Sequence, residues 1–222
     1  MTPVPWDALA EQRRWRRAVL DSGAAAFDDL TRVKHVDLPA LQQRLLPWAH
    51  WITPAYQTKR FDTRFYLAIL DSFVDSIQQM SADGSETTDL QWMDPEDALT
   101  RRLLPPEQGG IYLAPPTTYV LMELVHVIRQ FGSPSNFDSV IEAVTSSERS
   151  PYVTPYLPEP VDCDQTLPQG YELKRVCRLP GDTPHRRNRF VVAARSDQEN
   201  TALPPWPVTF VQSDFFDAHD LA

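Results

Sequence analysis

Between Leu46 and Asp71 the chain reads LPWAHWITPAYQTKRFDTRFYLAILD, its densest run of apolar and aromatic residues, and this stretch limits the fold more than any other. His50 to Thr53 is a short β-prone run closed by Pro54, and Phe61 to Leu70 is a longer one rich in aromatic and β-branched types. The polar residues Ala55 to Lys59 form the turn between them. Side chains alternate along a strand, so Phe61, Thr63, Phe65, Leu67 and Ile69 share one face while Asp62, Arg64, Tyr66, Ala68 and Leu70 share the other. The second face changes from polar to apolar, as expected of a strand whose first half borders a wet cleft and whose second half enters packed layers.

Around this strand pair the sequence predicts mostly helices. Helical spacing covers Trp6 to Leu20, which Asp21, Ser22 and Gly23 stop, and shorter helices follow over Ala24 to Leu30 and Leu38 to Leu45. Past the polar loop Ser81 to Asp89, Leu90 to Met93 reads as a short strand. Asp94 is then a helix N-cap, with Pro95 at the first helical position and Asp97 in the first turn, for a helix that Pro105 and Pro106 end. Ile111 to Leu113 reads as a strand remnant. The next helix carries an apolar stripe at Val120, Leu121, Leu124, Val125, Ile128 and Phe131 and closes at Gly132, and another, capped by Ser135 or Asn136, runs through Phe137, Val140, Ile141 and Val144.

Beyond Ser150 the texture turns proline-rich and extended. Tyr171 to Leu179 and Phe190 to Ala194 read as strands joined by Pro180-Gly181-Asp182, and the tail from Thr201, with prolines at 204, 205 and 207, reads as a surface wrap or a frayed end. The domain reading is residues 1–150 as one domain and 151–222 as a proline-rich segment with a β-hairpin and a tail.

Charge removes one class of partner. A net charge of −9 argues against a sequence-independent grip on DNA or RNA, which draws its affinity from a basic face. Two basic clusters stand out, Arg13, Arg14, Arg16 and Arg17 on the N-terminal helix and Arg186, Arg187 and Arg189 after His185. They read either as solvated faces or as a clamp for an anionic substrate. Cys163 and Cys177 have no metal spacing and read as two free thiols, and no run matches a membrane span or the apolar core of a signal peptide. The expectation is a soluble intracellular protein, cytoplasmic by default, with peroxisome and mitochondrion left open; the final Asp220-Leu221-Ala222 is not an S-K-L type address.

Four segments carry a family resemblance: Trp51 to Pro54 (W-I-T-P), Arg60 to Tyr66 (R-F-D-T-R-F-Y), Trp92 to Leu99 (W-x-x-P-x-x-A-L) and Pro115 to Thr117 (P-P-T). In this order they resemble the Nudix hydrolases, in particular the coenzyme A diphosphatase-like branch. The resemblance implies an α/β chain with a partial Nudix-like fold, a mixed sheet flanked by helices, followed by the proline-rich C-terminal extension. It implies acyl-CoA or a nucleotide diphosphate as ligand, and Mg²⁺ or Mn²⁺ as the cofactor wherever a complete Nudix box exists.

The box is a Gly, a Glu, then Arg-Glu and a Glu-Glu pair within about two dozen residues, which sets carboxylates on one helical face. The glutamates here are 11, 86, 96, 107, 123, 142, 148, 159, 172 and 199; no two are adjacent and none follows an Arg. The chain thus resembles the part of a Nudix enzyme downstream of the box, with no metal ligands or cofactor assigned on it. Two expectations follow. One is a non-catalytic descendant, its incomplete sheet covered by self-association or a second chain. The other is an active Mg-dependent CoA or nucleotide diphosphatase whose N-terminal half is lost from the gene model.

Single residues carry sharper readings. By resemblance Glu86, in the loop ahead of Trp92, stands where some Nudix enzymes place an auxiliary carboxylate, and it is the one catalytic candidate. Arg60 and Arg64, flanking Asp62, read as a structural ion pair or as phosphate contacts, and they are the substrate-binding candidates. His50 reads as a packed histidine, and Trp51 and Trp92 read as core.

Overall fold

A computed structural model describes residues 45–68, 89–131, 154–162, 165–197, 201–214 and 218–219, with single helical positions at 14, 17, 18, 21, 29, 32 and 142. The chain divides into two compact units, Met1–Leu46 with Leu67–Gln91, and Pro47–Tyr66 with Trp92–Ala222. In the first, Arg14, Arg17, Ala18 and Asp21 are helical, so Asp21, expected to stop a helix, is itself helical. Asp29 and Arg32 are helical too and form an exposed ion pair. The helix expected over Phe137 to Val144 lies outside the described residues except at Glu142, which is helical.

The second unit starts from the strand pair. Strand β1 covers Leu45–Ile52 and β2 covers Asp62–Ala68, so Leu45, expected to end a helix, is already in a strand. Thr53 fastens the hairpin: its N–H donates to Phe61 O at 2.9 Å and its hydroxyl accepts the Phe61 N–H at 3.0 Å. The other edge of β1 makes a parallel bridge, with Ile52 N–H donating to Tyr156 O and Tyr156 N–H to His50 O.

Strands β3 (Glu159–Val161), β4 (Tyr171–Arg178), β5 (Asn188–Arg195), β6 (Val208–Ser213) and β7 (Ala218–His219) form an antiparallel sheet in that order. Between β4 and β5, Asp182 N–H donates to Leu179 O at 3.0 Å, with Pro180 and Gly181 in the middle and Gly181 at φ 85°. That is a type II turn, whose third position needs a positive φ that glycine adopts without strain. The stretch expected to wrap or fray contains β6, all six of whose residues are buried. Its three upstream prolines end before Val208, and V-T-F-V then alternates as a strand between two neighbours.

Cross-strand partners share a face, so the register sorts the sheet into two. Val176, Val191, Ala193, Val208 and Phe210 form a dry cluster on one face, against which Leu103, Val161, Leu167, Tyr171 and Trp206 pack. Cys177, Phe190 and Val211 fall on the other, as do Arg175, Val192 and Thr209.

Helix α1, Pro95–Arg101, begins as expected: Asp94 accepts from the N–H groups of Glu96 and Asp97, and Pro95 occupies the first turn. Its end is fixed by Arg102, which is buried and donates to Thr209 O on β6. Helix α2, Pro115–Phe131, packs against α1 and across β5, β6 and β7. Its deepest residues are Thr118, Tyr119, Met122 and Val125, a stripe rotated from the expected one because Tyr119 OH reaches Asn188 Oδ1 at 2.9 Å on β5. Ser213 Oγ donates to the same oxygen, while Asn188 donates to Pro180 O and its N–H to Asp182. These bonds compensate a polar cluster that would be costly to bury bare.

Two expected strands are absent from the ladders. Leu90 to Met93 runs as irregular chain, since the Asp89 carboxylate takes the Leu90 N–H and offers the backbone a local alternative to pairing. Ile111 to Leu113 is irregular as well, with the Ile111 N–H spent on Arg101 O. Gly110, just before it, is held so close that an added Cβ would lie 1.9 Å from Leu104 O.

Candidate functional site

A cleft of about 500 Å³ opens in the second unit between the hairpin loop, the start of α2 and the far face of the five-stranded sheet. Its floor is an aromatic cluster. Trp51, 3% exposed, has its ring centroid 5.4 Å from Tyr119, 5.1 Å from Tyr156 and 6.1 Å from Phe190. Trp51 is therefore core, as expected, and also the base of the cleft. Trp92 is not core: it is about half exposed. At the rim stand Phe61, 64% exposed, and Tyr112, 57% exposed, with Phe65 and Thr63 on the same strand face as Phe61.

Three of the four segments quoted for the family resemblance meet here. Trp51, Ile52, Thr53 and Pro54, then Phe61, Thr63 and Phe65, then Pro115, Pro116 and Thr117 all line the cleft. The fourth segment provides the cap and first turns of α1. Sheet residues Arg175, Cys177, Phe190 and Val192 complete the wall.

Among the described residues, the charged side chains lining the cleft are Lys59 and Arg175, and no carboxylate lines it. In a chain of net charge −9 that is a local reversal of sign. The N-terminal end of α2 adds a weaker positive potential, although Pro115 and Pro116 have no N–H and Thr118 N–H is spent on Ala114 O. An apolar concavity with a few cations suits an anion attached to a bulky apolar or aromatic body.

Tyr56, Cys177 and Arg175 are linked. The Tyr56 hydroxyl and Cys177 Sγ share a hydrogen bond at 3.6 Å, and the Arg175 guanidinium carbon lies 4.3 Å from the Tyr56 ring centroid. Burial pushes the Cys177 thiol up from its ordinary range, opposed by the Tyr56 bond and the nearby Arg175 charge. Burial likewise raises Tyr56, assisted by Cys177 and opposed by Arg175. Cys177, a free thiol as expected, is thus held protonated at neutral pH, and thiol rather than thiolate is a poor nucleophile. Cys163 lies outside the described residues.

The residues singled out from sequence are placed as follows. Arg60 precedes β2, is exposed, and donates from Nε to Thr53 O at 3.0 Å. Arg64 is exposed on β2 and alternates with the cleft-lining Thr63 and Phe65. Asp62, expected to pair with these arginines, instead meets His50, whose Nε2 lies 2.5 Å from Asp62 Oδ1. His50 is largely buried, as a packed histidine should be. Glu86 lies outside the described residues. In the second basic cluster Arg189 is held by Asp182 at 2.9 Å and the Arg187 N–H by Asp214 at 2.6 Å.

Neither Lys59 nor Arg175 stood out in the sequence. Lys59 sits in an ordinary polar turn, and Arg175 is more than a hundred residues away from it. One signal was present: in Y-E-L-K-R-V-C-R the apolar Leu173 and Val176 are three apart, which breaks a period of two and marks a bulge.

A divalent cation does not fit this cleft as it stands. Its fixed charges are cationic, and among the described residues no group of three or more His, Cys, Asp or Glu comes together. Among the described residues no helix is long and apolar enough to cross a membrane.

An α/β unit whose sheet, hairpin and helix start enclose an anion-favouring apolar cleft is the class of protein that emerges. Residues 5–124 match the model of the NUDT19 Nudix domain, more than half of the 222 residues, and the chain belongs to that Nudix family. No curated protein and no solved structure matches the chain. Arg175, Cys177, Phe190 and Val192 lie beyond the matched residues and yet build the same cleft.

Proposed function

We propose that this Nudix hydrolase-like protein binds a coenzyme A-type or related nucleotide diphosphate in the cleft and that the 222-residue chain does not cleave it. The observation that carries the reading is the sign of the cleft: among the described residues Lys59 and Arg175 are the charged groups lining a mainly apolar hollow built from the Trp51–Pro54, Phe61–Phe65 and Pro115–Thr117 segments. A CoA-type molecule combines anionic phosphates with a planar base and an apolar arm, and this lining complements both. Absence of cleavage is supported by the sequence, in which no two glutamates are adjacent and none follows an arginine, so the helical carboxylate set that would hold magnesium is missing. The exposed apolar side chains Phe61, Tyr66, Trp92 and Tyr112 support self-association as an accompanying property.

Titration calorimetry of the full chain with CoA, followed by a product assay with magnesium, tests the reading. CoA is expected to bind more tightly than pantetheine, with no release of adenosine 3′,5′-bisphosphate. Family membership favours a second reading, an active Mg-dependent CoA or nucleotide diphosphatase, and Mg-dependent release abolished by Glu86→Gln would establish it in place of the first. Absence of CoA binding would overturn both, and a monodisperse monomer in light scattering would overturn self-association.

A further inference from the structure

The three basic side chains of β4 are used differently. Lys174 is paired with Glu172, and Arg178 with Glu159 at 2.6 Å. Arg175 has no carboxylate partner among the described residues and lies over the ring of Tyr56.

The backbone explains its position. Leu173 faces Ala193 across the ladder, but Arg175 faces Val192, so Lys174 is an extra residue and the register shifts there. In an unbroken ladder Arg175 would share the side of Leu173 and point at the dry cluster of Val176, Val191 and Phe210, where an unpaired cation is untenable. The bulge turns it to the opposite face, into the cleft. Such bulges re-aim side chains beside binding sites. A guanidinium over a ring gains from the face of the ring, yet its five N–H groups exceed what one phenol can satisfy.

We infer that Arg175 is the residue of this cleft that reads the anion: it donates to a phosphate oxygen of the ligand, with Lys59 adding charge from the hairpin loop. The ligand class is a phosphate ester carrying a large apolar or aromatic body. The inference rests on the proposal that the cleft holds a CoA-type diphosphate, and it assigns the phosphate contact to a residue outside the stretch that matches the family model. It also separates the two ends of such a ligand, since both the nucleotide end and the pantetheine end carry phosphate.

The experiment is calorimetry on the full chain with two probe pairs, adenosine 3′,5′-bisphosphate against adenosine and 4′-phosphopantetheine against pantetheine. The wild type is expected to prefer the phosphorylated member of at least one pair by about tenfold or more, and that pair identifies the end that enters. Arg175→Met is expected to reduce the preference to within about twofold, while Arg178→Met, the same charge change on the same strand, keeps it. Thermal melting confirms that each variant is folded, and Arg175→Gln has the same expected outcome should Arg175→Met unfold. An undiminished preference without Arg175, or a wild type that binds CoA but prefers neither phosphorylated probe, overturns the inference and leaves the binding proposal standing. A wild type that binds neither CoA nor any probe overturns that proposal and this inference with it.

Discussion

Phe190 and Val191 are neighbours in β5 and point to opposite sides of the sheet. Val191 enters a cluster closed by Val176, Ala193, Val208 and Phe210, whereas Phe190 lies under Trp51 at the base of an open cleft with Cys177 and Arg175 beside it. The same strands therefore build a filled face and one that is filled only in part, where α2 covers Asn188 and Ser213 and the cleft lies beside them. On the filled face, apolar side chains meet each other and exclude water. The second face mixes aromatic rings, a thiol and a guanidinium whose partners lie on the hairpin, and this leaves a hollow that a ligand can complete. Stability resides mainly on the first face and specificity on the second.

Substitutions on the two faces test that division. The largest loss is expected from Phe210→Ala, which empties the filled face, removes a ring 5.4 Å from Tyr171 and costs about 3 to 5 kcal/mol in denaturant unfolding. A smaller one, about 2 to 3 kcal/mol, is expected from Asn188→Ala, which removes the bonds that the Tyr119 and Ser213 hydroxyls and the Pro180 carbonyl make to Asn188. If Asn188→Ala proved the costlier of the two, the division would fail.

Tyr119→Phe removes the hydrogen bond to Asn188, about 1 kcal/mol at neutral pH, and also changes the alkaline limb. Burial raises the Tyr119 phenol, with Tyr156 and Glu123 adding to the shift, so the folded chain holds this proton to higher pH than the unfolded chain, whose tyrosine ionises near 10. The folded state thus binds more protons above pH 10, and stability, complete below that pH, falls as it rises further. Urea midpoints from pH 8 to 11 are expected to fall less steeply for Tyr119→Phe than for the wild type. Arg175→Met is last, with a change below about 1 kcal/mol because its cation–π contact is exposed, and its effect is expected on ligand affinity instead.

Sequence made some of this visible and hid the rest for identifiable reasons. Asp94, Pro95 and Asp97 act locally, so the start of α1 could be read three residues at a time. Thr53, Pro54 and the aromatic run likewise marked the hairpin. Strand β6 was obscured by Pro204, Pro205 and Pro207, whose effect ends one residue before it begins. The inward side of α2 depended on Asn188, far along the chain, and helical spacing alone offered the wrong stripe. At the site, the motif residues Trp51, Phe61 and Pro115 were legible. Arg175 was not, because its role comes from a register shift and from Tyr56 on another element.

The position of β6 bears on how the molecule is made. A ribosome finishes β3, β4 and β5 before it reaches Val208, and until Ser213 has emerged β5 presents an unpaired rim with Val191 and Phe190 uncapped on that side. Stalled or nicked products that stop short of this point therefore expose a sticky β edge open to pairing with other chains.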